Sequence, residues 1–127
     1  MTRKFAILIV EDDSKTRTFL ADYLNEKGYE AFPAANGLEG LRILEHHEID
    51  LVITDYAMPH MDGKAFILQI KKTHPRLPVI LVSGFGLHEN KSLQPLKGLL
   101  YEYFQKPVSL RSLGAAVNKV RQEILYE

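Results

Sequence analysis

Hydrophobic residues are concentrated in three short runs, each long enough for one strand. The runs cover residues 5–10, 51–54 and 79–82. Unbroken apolar runs of this length are typical of strands buried on both faces, as in a parallel sheet. Two weaker runs, 30–34 and 101–105, predict strands at or near the edges of that sheet. Pro33 favours an edge position for the first of them, because proline has no N–H to donate within a central strand.

Segments with helical spacing lie between the runs. The first covers residues 14–27, with Asp13 or Ser14 as its N-cap and Gly28 closing its C-terminal end. Its predicted buried face holds Phe19, Leu20, Tyr23 and Leu24. The next two helices are marked by Leu38, Leu41 and Leu44, and by Phe66, Ile67 and Ile70. The third helix is expected to end before His74 and Pro75.

The last two connections differ in clarity. Residues 86–98 contain Pro95 and two glycines, so any helix there is expected to be short or distorted. The final helix carries one apolar stripe, formed by Leu110, Leu113, Val117, Val120 and Ile124. Such a stripe fits a helical dimer seam as well, but we expect it to pack against the sheet.

Strands and helices therefore alternate five times, which predicts a doubly wound α/β fold with helices on both faces of a parallel sheet. No linker, repeat or low-complexity stretch interrupts the pattern, so we expect one domain over residues 1–127. We expect no output domain in this chain.

Composition narrows the classes of function. Of 127 residues, 46% are hydrophobic and 25% charged, as in ordinary globular proteins. Lys and Arg number 16 against 16 Asp and Glu, which gives no reason to expect direct nucleic-acid binding. No apolar run reaches the roughly 18–20 residues of a membrane helix, so we expect no membrane insertion and a cytoplasmic location. The absence of cysteine excludes disulfides and thiol chemistry.

Polar residues follow the apolar runs at the points where parallel strands end. They are Glu11, Asp12 and Asp13 after the first run, Asp55 after 51–54, Ser83 after 79–82, and Lys106 after 101–105. Because ligands of open α/β sheets bind at the carboxyl ends of the strands, we expect these side chains to converge. Each alone is an ordinary cap, turn or solvated residue, but four such strand ends together favour a functional site.

Converging carboxylates repel one another and need a cation. A set of oxygen ligands without Cys or His selects a hard ion such as Mg²⁺. A carboxylate beside Mg²⁺, a hydroxyl and a lysine is equipped to take a phosphoryl group, because the cations offset charge on the transferring oxygens. The expected product is an aspartyl phosphate.

Four motifs together closely resemble the receiver domain of two-component response regulators, over essentially the whole chain. They are ILIVEDD at 7–13, DYAMPHMDG at 55–63, PVILVSG at 78–84, and KP at 106–107. The resemblance implies a flavodoxin-like (βα)5 fold whose five parallel strands have the order 2-1-3-4-5.

The resemblance also implies a role for each site residue. Asp55 is the implied phosphoacceptor. Ser83 and Lys106 are the implied partners of the phosphoryl group, and Ser83 and Tyr103 the implied switch pair. The implied Mg²⁺ ligands are Glu11, Asp12, Asp55 and the backbone carbonyl of Ala57. Asp13 is expected to cap the first helix without binding metal.

The implied function is a signalling switch and not an enzyme acting on a separate substrate. A histidine kinase or histidine phosphotransfer protein supplies the phosphoryl group, and a downstream protein or output domain reads the change, with homodimerisation on phosphorylation as one form of readout. The expected reading surface is formed by the fourth helical connection, the fifth strand and the last helix.

Three other classes of function fit the residues less well. A receiver that binds a partner without phosphorylation remains the alternative. A Mg²⁺-dependent phosphohydrolase is disfavoured because the nucleophile follows the third strand and no Asp-x-Asp pair follows the first. A flavin-phosphate binder is disfavoured because Glu11, Asp12 and Asp13 would repel the phosphate.

Overall fold

The computed structural model describes residues 3–58, 60–84 and 91–125, except for the side chain of Ser92. Five strands alternate with helices along the chain. The strands are β1 (Ala6–Val10), β2 (Glu30–Ala34), β3 (Leu51–Asp55), β4 (Val79–Ser83) and β5 (Glu102–Gln105). The α-helices are α1 (Ser14–Glu26), α2 (Gly37–His46), α3 (Gly63–Thr73) and α4 (Leu110–Leu125). A 3₁₀ helix (Lys91–Leu99) joins β4 to β5.

All five strands are parallel, in the order β2-β1-β3-β4-β5. Every residue of β1, β3 and β4 is buried, which confirms the interpretation of the three unbroken apolar runs. β2 and β5 are the edge strands, and Pro33 lies in β2 as expected. The sequence suggested that Asp55 and Ser83 follow their strands. In the structure each is instead the last residue of its strand.

Alternate residues of the strands feed two hydrophobic cores, one on each face of the sheet. α1 and α4 cover the face presented by Ile7, Ile9, Ile53 and Val82. The other face, which includes Leu8 and Val52, is covered by α2, α3 and the 3₁₀ helix. The stripe of α4 packs on the sheet, with Leu113, Val117 and Val120 buried, and this confirms the expectation for that helix.

Two predicted core positions were wrong. Phe19 is 58% exposed and Leu38 is 47% exposed. The buried stripe of α1 is centred on Ala21 and Leu24, and at 100° per residue Phe19 lies roughly 140° from Leu24 around the helix axis. Leu38 lies about 120° from Leu44, the buried leucine of α2, by the same geometry.

The ends of the helices follow the local sequence. Asp13 is the N-cap of α1, and its side chain accepts hydrogen bonds from the Thr16 N–H at 2.9 Å and the Thr16 hydroxyl at 2.6 Å. Gly28 follows α1 with a φ of 92°, a left-handed conformation that glycine adopts without a steric penalty. The 3₁₀ helix contains Pro95, which confirms the expected distortion of this connection. No described helix is long and apolar enough to cross a membrane.

Candidate functional site: an acidic cluster beside Lys106

The order of the strands determines where the site forms. After β1 the chain moves outward to β2 and then returns to place β3 on the other side of β1. Loops diverge at this reversal and leave a crevice at the carboxyl ends of the two strands, where ligands of doubly wound folds bind. Val10 pairs with Thr54, so Glu11 and Asp55, the next residues, lie side by side at the crevice.

Three carboxylates meet there. Oxygen atoms of Glu11, Asp12 and Asp55 all lie within 4.8 Å of one another. Glu11 and Asp55 are buried, at 4% and 8% exposure, whereas Asp12 is exposed. Among the residues that the structure describes, this is the one grouping of three or more potential metal ligands. An all-oxygen set of this kind fits Mg²⁺, which prefers one or two carboxylates and keeps several waters.

Lys106 reaches this cluster from the end of β5. Its Nζ donates hydrogen bonds to Asp55 Oδ2 at 2.8 Å and to Glu11 Oε1 at 3.2 Å. Partial burial alone would lower the pKa of Lys106, but the hydrogen bond and negative charge of Asp55, aided by Glu11, raise it above its ordinary value. The lysine is therefore held as a cation against both buried acids.

The contacts of the Glu11 carboxylate only partly offset the cost of burying its charge. Burial raises the pKa of the Glu11 carboxyl above its ordinary value of 4.5, and the charge of Asp55 acts in the same direction. The Asp13 N–H, which donates to Glu11 Oε2 at 3.1 Å, and Lys106 oppose this rise. Lys106 thus bonds to two carboxylates of a group of three, and a bound divalent cation would relieve the remaining excess of negative charge.

The peptide around Asp55 is held by short-range contacts. The Tyr56 N–H donates to Asp55 Oδ1 at 2.7 Å, and the buried Thr54 hydroxyl donates to the Asp55 carbonyl at 2.9 Å. Gly63, the first residue of α3, donates its N–H to the Tyr56 carbonyl at 2.6 Å. A Cβ on Gly63 would lie 2.6 Å from Tyr56 Cα and 2.7 Å from the Asp55 carbonyl oxygen, so only glycine fits.

The remaining predicted residues lie in β4 and β5 or in the loop after β3. Ser83 is buried at the end of β4, and its carbonyl accepts from the Lys106 N–H at 2.7 Å. Tyr103 is half-buried on β5, against the core that α2, α3 and the 3₁₀ helix cover. Ala57 is exposed in the loop after β3, and the metal-ligand role of its carbonyl stays a prediction. Pro59 of the same motif lies outside the described residues.

Sequence reasoning missed two side chains near the site, Arg17 and Thr54. Arg17 Nη1 donates to the backbone carbonyls of Glu11 at 2.8 Å and Asp12 at 3.2 Å. Thr54 stands out in the sequence as the one hydroxyl in a run of apolar residues, a signal that could have been followed. The contacts of Arg17 leave no such signal, because their acceptors are backbone atoms.

Comparison with known proteins agrees with this geometry. The family model described as "response regulator receiver domain" matches residues 7–118. The chain belongs to the response regulator receiver family. Phosphoacceptance is the general role of receiver domains in two-component response regulators, and they generally bind Mg²⁺ at an acidic site.

Individual relatives of this receiver domain differ in length. It is 34% identical over 117 residues to sporulation initiation phosphotransferase F of Bacillus subtilis, covering 89% of this chain and 90% of that protein. It is 33% identical over 119 residues to the sensor kinase CckA of Brucella abortus, but those residues are 92% of this chain and 12% of the kinase. The chain thus spans only a small part of the longer relatives.

The chain also resembles solved response regulator structures. The receiver domain superposes on response regulator protein TrrA from Thermotoga maritima, solved in complex with Mg(2+)-BeF, with a TM-score of 0.81. The two are 31% identical, and the match covers 91% of this chain and 98% of the other.

Proposed function

We propose that this receiver domain is a phosphoacceptor switch in which Asp55 takes a phosphoryl group in the presence of Mg²⁺. The observation that carries the proposal is the meeting of Glu11, Asp12 and Asp55 within 4.8 Å, with Lys106 bonded to the two buried acids. Glu11, Asp12 and Asp55 are the side chains that would hold the metal, together with the Ala57 carbonyl.

The reaction would form a bond between an Asp55 carboxylate oxygen and phosphorus. The bond from phosphorus to the donor breaks at the same centre: P–N in a phosphohistidine, P–O in acetyl phosphate. A phosphohistidine that is protonated on its second ring nitrogen keeps that proton and leaves as neutral imidazole, whereas acetate leaves as the anion. When bound, Mg²⁺ would supply positive charge that offsets the negative charge on the oxygens of the transferred phosphoryl group. Lys106 adds a second positive charge, and the Ser83 hydroxyl would donate a hydrogen bond to the phosphoryl group.

Phosphorylation would act by shifting a conformational equilibrium. Ser83 and Lys106 already face each other across the ends of β4 and β5, joined by the 2.7 Å backbone hydrogen bond. Their contacts with a phosphoryl group would stabilise one arrangement of this edge, with Tyr103 as the proposed second member of the switch. The proposed reading surface is formed by the 3₁₀ helix, β5 and α4.

The proposed partners are a histidine kinase or histidine phosphotransfer protein as donor, and a downstream protein or output domain as reader. The relatives include a sensor kinase and a sporulation phosphotransferase, which supports a place in phosphoryl relay. The chain would change only its own phosphorylation state, so we do not propose an enzyme with a separate substrate. Homodimerisation on phosphorylation and a cytoplasmic location stay predictions.

Reaction with a small phosphodonor tests the proposal. The protein is incubated with acetyl phosphate, with Mg²⁺ or with excess EDTA, and its intact mass is measured beside that of the Asp55→Asn variant. We expect one phosphoryl group on the wild type with Mg²⁺ and none in EDTA or on the variant.

Two results would contradict the proposal. A phosphoryl gain that persists in Asp55→Asn would place the acceptor elsewhere. No gain on a folded wild type, with acetyl phosphate and with a panel of phosphorylated histidine phosphotransfer proteins, would favour the alternative of a receiver that binds its partner without phosphorylation.

A further inference from the structure

The structure assigns to Arg17 the role of positioning the pair of acidic residues Glu11 and Asp12, an inference that rests on the proposed Mg²⁺ site. Arg17 lies in the second turn of α1, yet its guanidinium reaches back to the loop between β1 and α1. One nitrogen, Nη1, donates to the carbonyls of both residues of the pair, at 2.8 Å to Glu11 and 3.2 Å to Asp12. Arg17 therefore ties the start of α1 to the two residues that would hold the metal.

Arg17 acts on the part of the loop that lies between two anchored residues. Glu11 is buried, and its N–H donates to the Ala34 carbonyl at 3.0 Å, continuing the pairing of β1 with β2. Asp13 is fixed as the N-cap of α1 through Thr16. Between these two anchors, the Asp12 side chain is exposed and the Asp12 carbonyl accepts from Arg17. Arg17 thus limits rotation of the peptides on either side of the Asp12 Cα.

A role through charge alone predicts the opposite effect on metal binding. A positive charge beside the loop that carries Glu11 and Asp12 competes with a divalent cation, so its removal would tighten Mg²⁺ binding if charge were all that mattered. A role in positioning predicts weaker binding, because the ligands must then be ordered when the metal binds. Groups that orient metal ligands typically contribute 10–100-fold to metal affinity. Because Arg17 is partly exposed, we expect about tenfold, the lower end of that range.

The test compares Arg17→Ala with Lys15→Ala and Arg17→Lys. Lys15→Ala is the matched control: it removes a positive charge from the first turn of α1, close enough to Asp13 to affect the pKa of that carboxyl. Mg²⁺ affinity is measured by calorimetry on each protein. Hydrogen exchange of the Asp13 amide, which donates to Glu11 Oε2, is measured by NMR without metal. Melting temperatures confirm that each variant is folded.

We expect Arg17→Ala to weaken Mg²⁺ binding about tenfold and to speed exchange at Asp13. Lys15→Ala should leave the affinity unchanged or tighten it, and Arg17→Lys should recover part of the loss. Unchanged or tighter binding by Arg17→Ala, with Asp13 exchange as in the wild type, would overturn the inference and leave the proposed function standing. A wild type that fails to bind Mg²⁺ would contradict the proposed function itself, and the positioning role with it.

Discussion

At the scale of single residues, the site carries more negative than positive charge unless a cation binds. Lys106 bonds to Asp55 and Glu11, and Asp12 adds a third carboxylate within 4.8 Å of these two. Burial makes this imbalance matter, because charges removed from water interact more strongly. Two properties of the metal-free protein follow from it, one in stability and one in titration.

The first concerns the acceptor itself. Asp55→Asn leaves Lys106 paired with Glu11 alone and removes the repulsion between the two buried acids. We expect the metal-free variant to be more stable than the wild type by about 1 kcal/mol, or ~4 °C in Tm. Thermal unfolding in EDTA measures this, with Asp62→Asn as a control that changes an aspartate outside the cluster. A lower Tm for Asp55→Asn would show that its bond to Lys106 outweighs the repulsion.

The second concerns Glu11. Burial raises its pKa, so the contribution of this group to stability is fully present below 4.5 and is lost as pH rises through the higher pKa of the folded state. NMR titration of the side-chain carboxyls without metal should give Glu11 a midpoint above 4.5. Asp13 serves as the internal control, because its hydrogen bonds with Thr16 hold its pKa below 3.8. A Glu11 midpoint at or below 4.5 would contradict the account.

At the scale of elements, the sequence predicted most where one physical signal dominates. β1, β3 and β4 are continuous apolar runs, and burial on both faces is the simplest way to satisfy such runs. The helix faces were predicted less well, as Phe19 shows, because spacing assigns a side chain to an arc of the helix but does not show how wide the buried arc is. Because these runs have clear ends, the polar residues at their carboxyl ends also predicted the acidic cluster.

Contacts made by the backbone were beyond sequence reasoning. Gly63 belongs to a motif that the sequence displays, but the sequence does not show that a Cβ at this position would collide with the Asp55 carbonyl oxygen. Arg17 likewise bonds to carbonyls, whose directions depend on the completed loop. These contacts depend on how α1 packs against the loop after β1 and how α3 packs against the loop after β3. Both arrangements are properties of the folded chain.

The junction between β3 and α3 gives a prediction at this scale. Gly63→Ala would force the backbone atoms of Tyr56 and Asp55 away from residue 63, because the added Cβ would lie under 3.0 Å from both. We expect a loss of about 1–3 kcal/mol in unfolding free energy, typical of overpacking, and weaker Mg²⁺ binding. Gly84→Ala is the matched control, since it makes the same change beside Ser83 with nothing within 4 Å. Equal stability of the two variants would contradict the close fit at Gly63.

At the scale of the whole molecule, the sheet links the acceptor to the proposed reading surface. Lys106 contacts Asp55 through its side chain and β4 through its N–H, so a change at the acceptor can reach β5 directly. The net charge of zero means that the domain as a whole is not steered toward a strongly charged partner. Recognition must then depend on local surfaces.

Lys106 gives a prediction about this link. Lys106→Ala should still bind Mg²⁺, because removing a cation beside the acids does not remove a metal ligand, but phosphorylation should no longer change β5. Amide NMR shifts of Glu102–Gln105 before and after reaction with acetyl phosphate measure this. Lys97→Ala, an exposed lysine on the 3₁₀ helix, is the control and should respond like the wild type. Full shifts in phosphorylated Lys106→Ala would contradict the switching role.

Mapping the modified residue decides whether Asp55 carries the phosphoryl group. The protein is phosphorylated with acetyl phosphate and Mg²⁺, reduced with borohydride to convert an aspartyl phosphate to homoserine, and digested for peptide mass spectrometry. We expect homoserine at position 55 and unmodified aspartate at Asp12 and Asp62. Homoserine at either of those positions, with Asp55 intact, would contradict it.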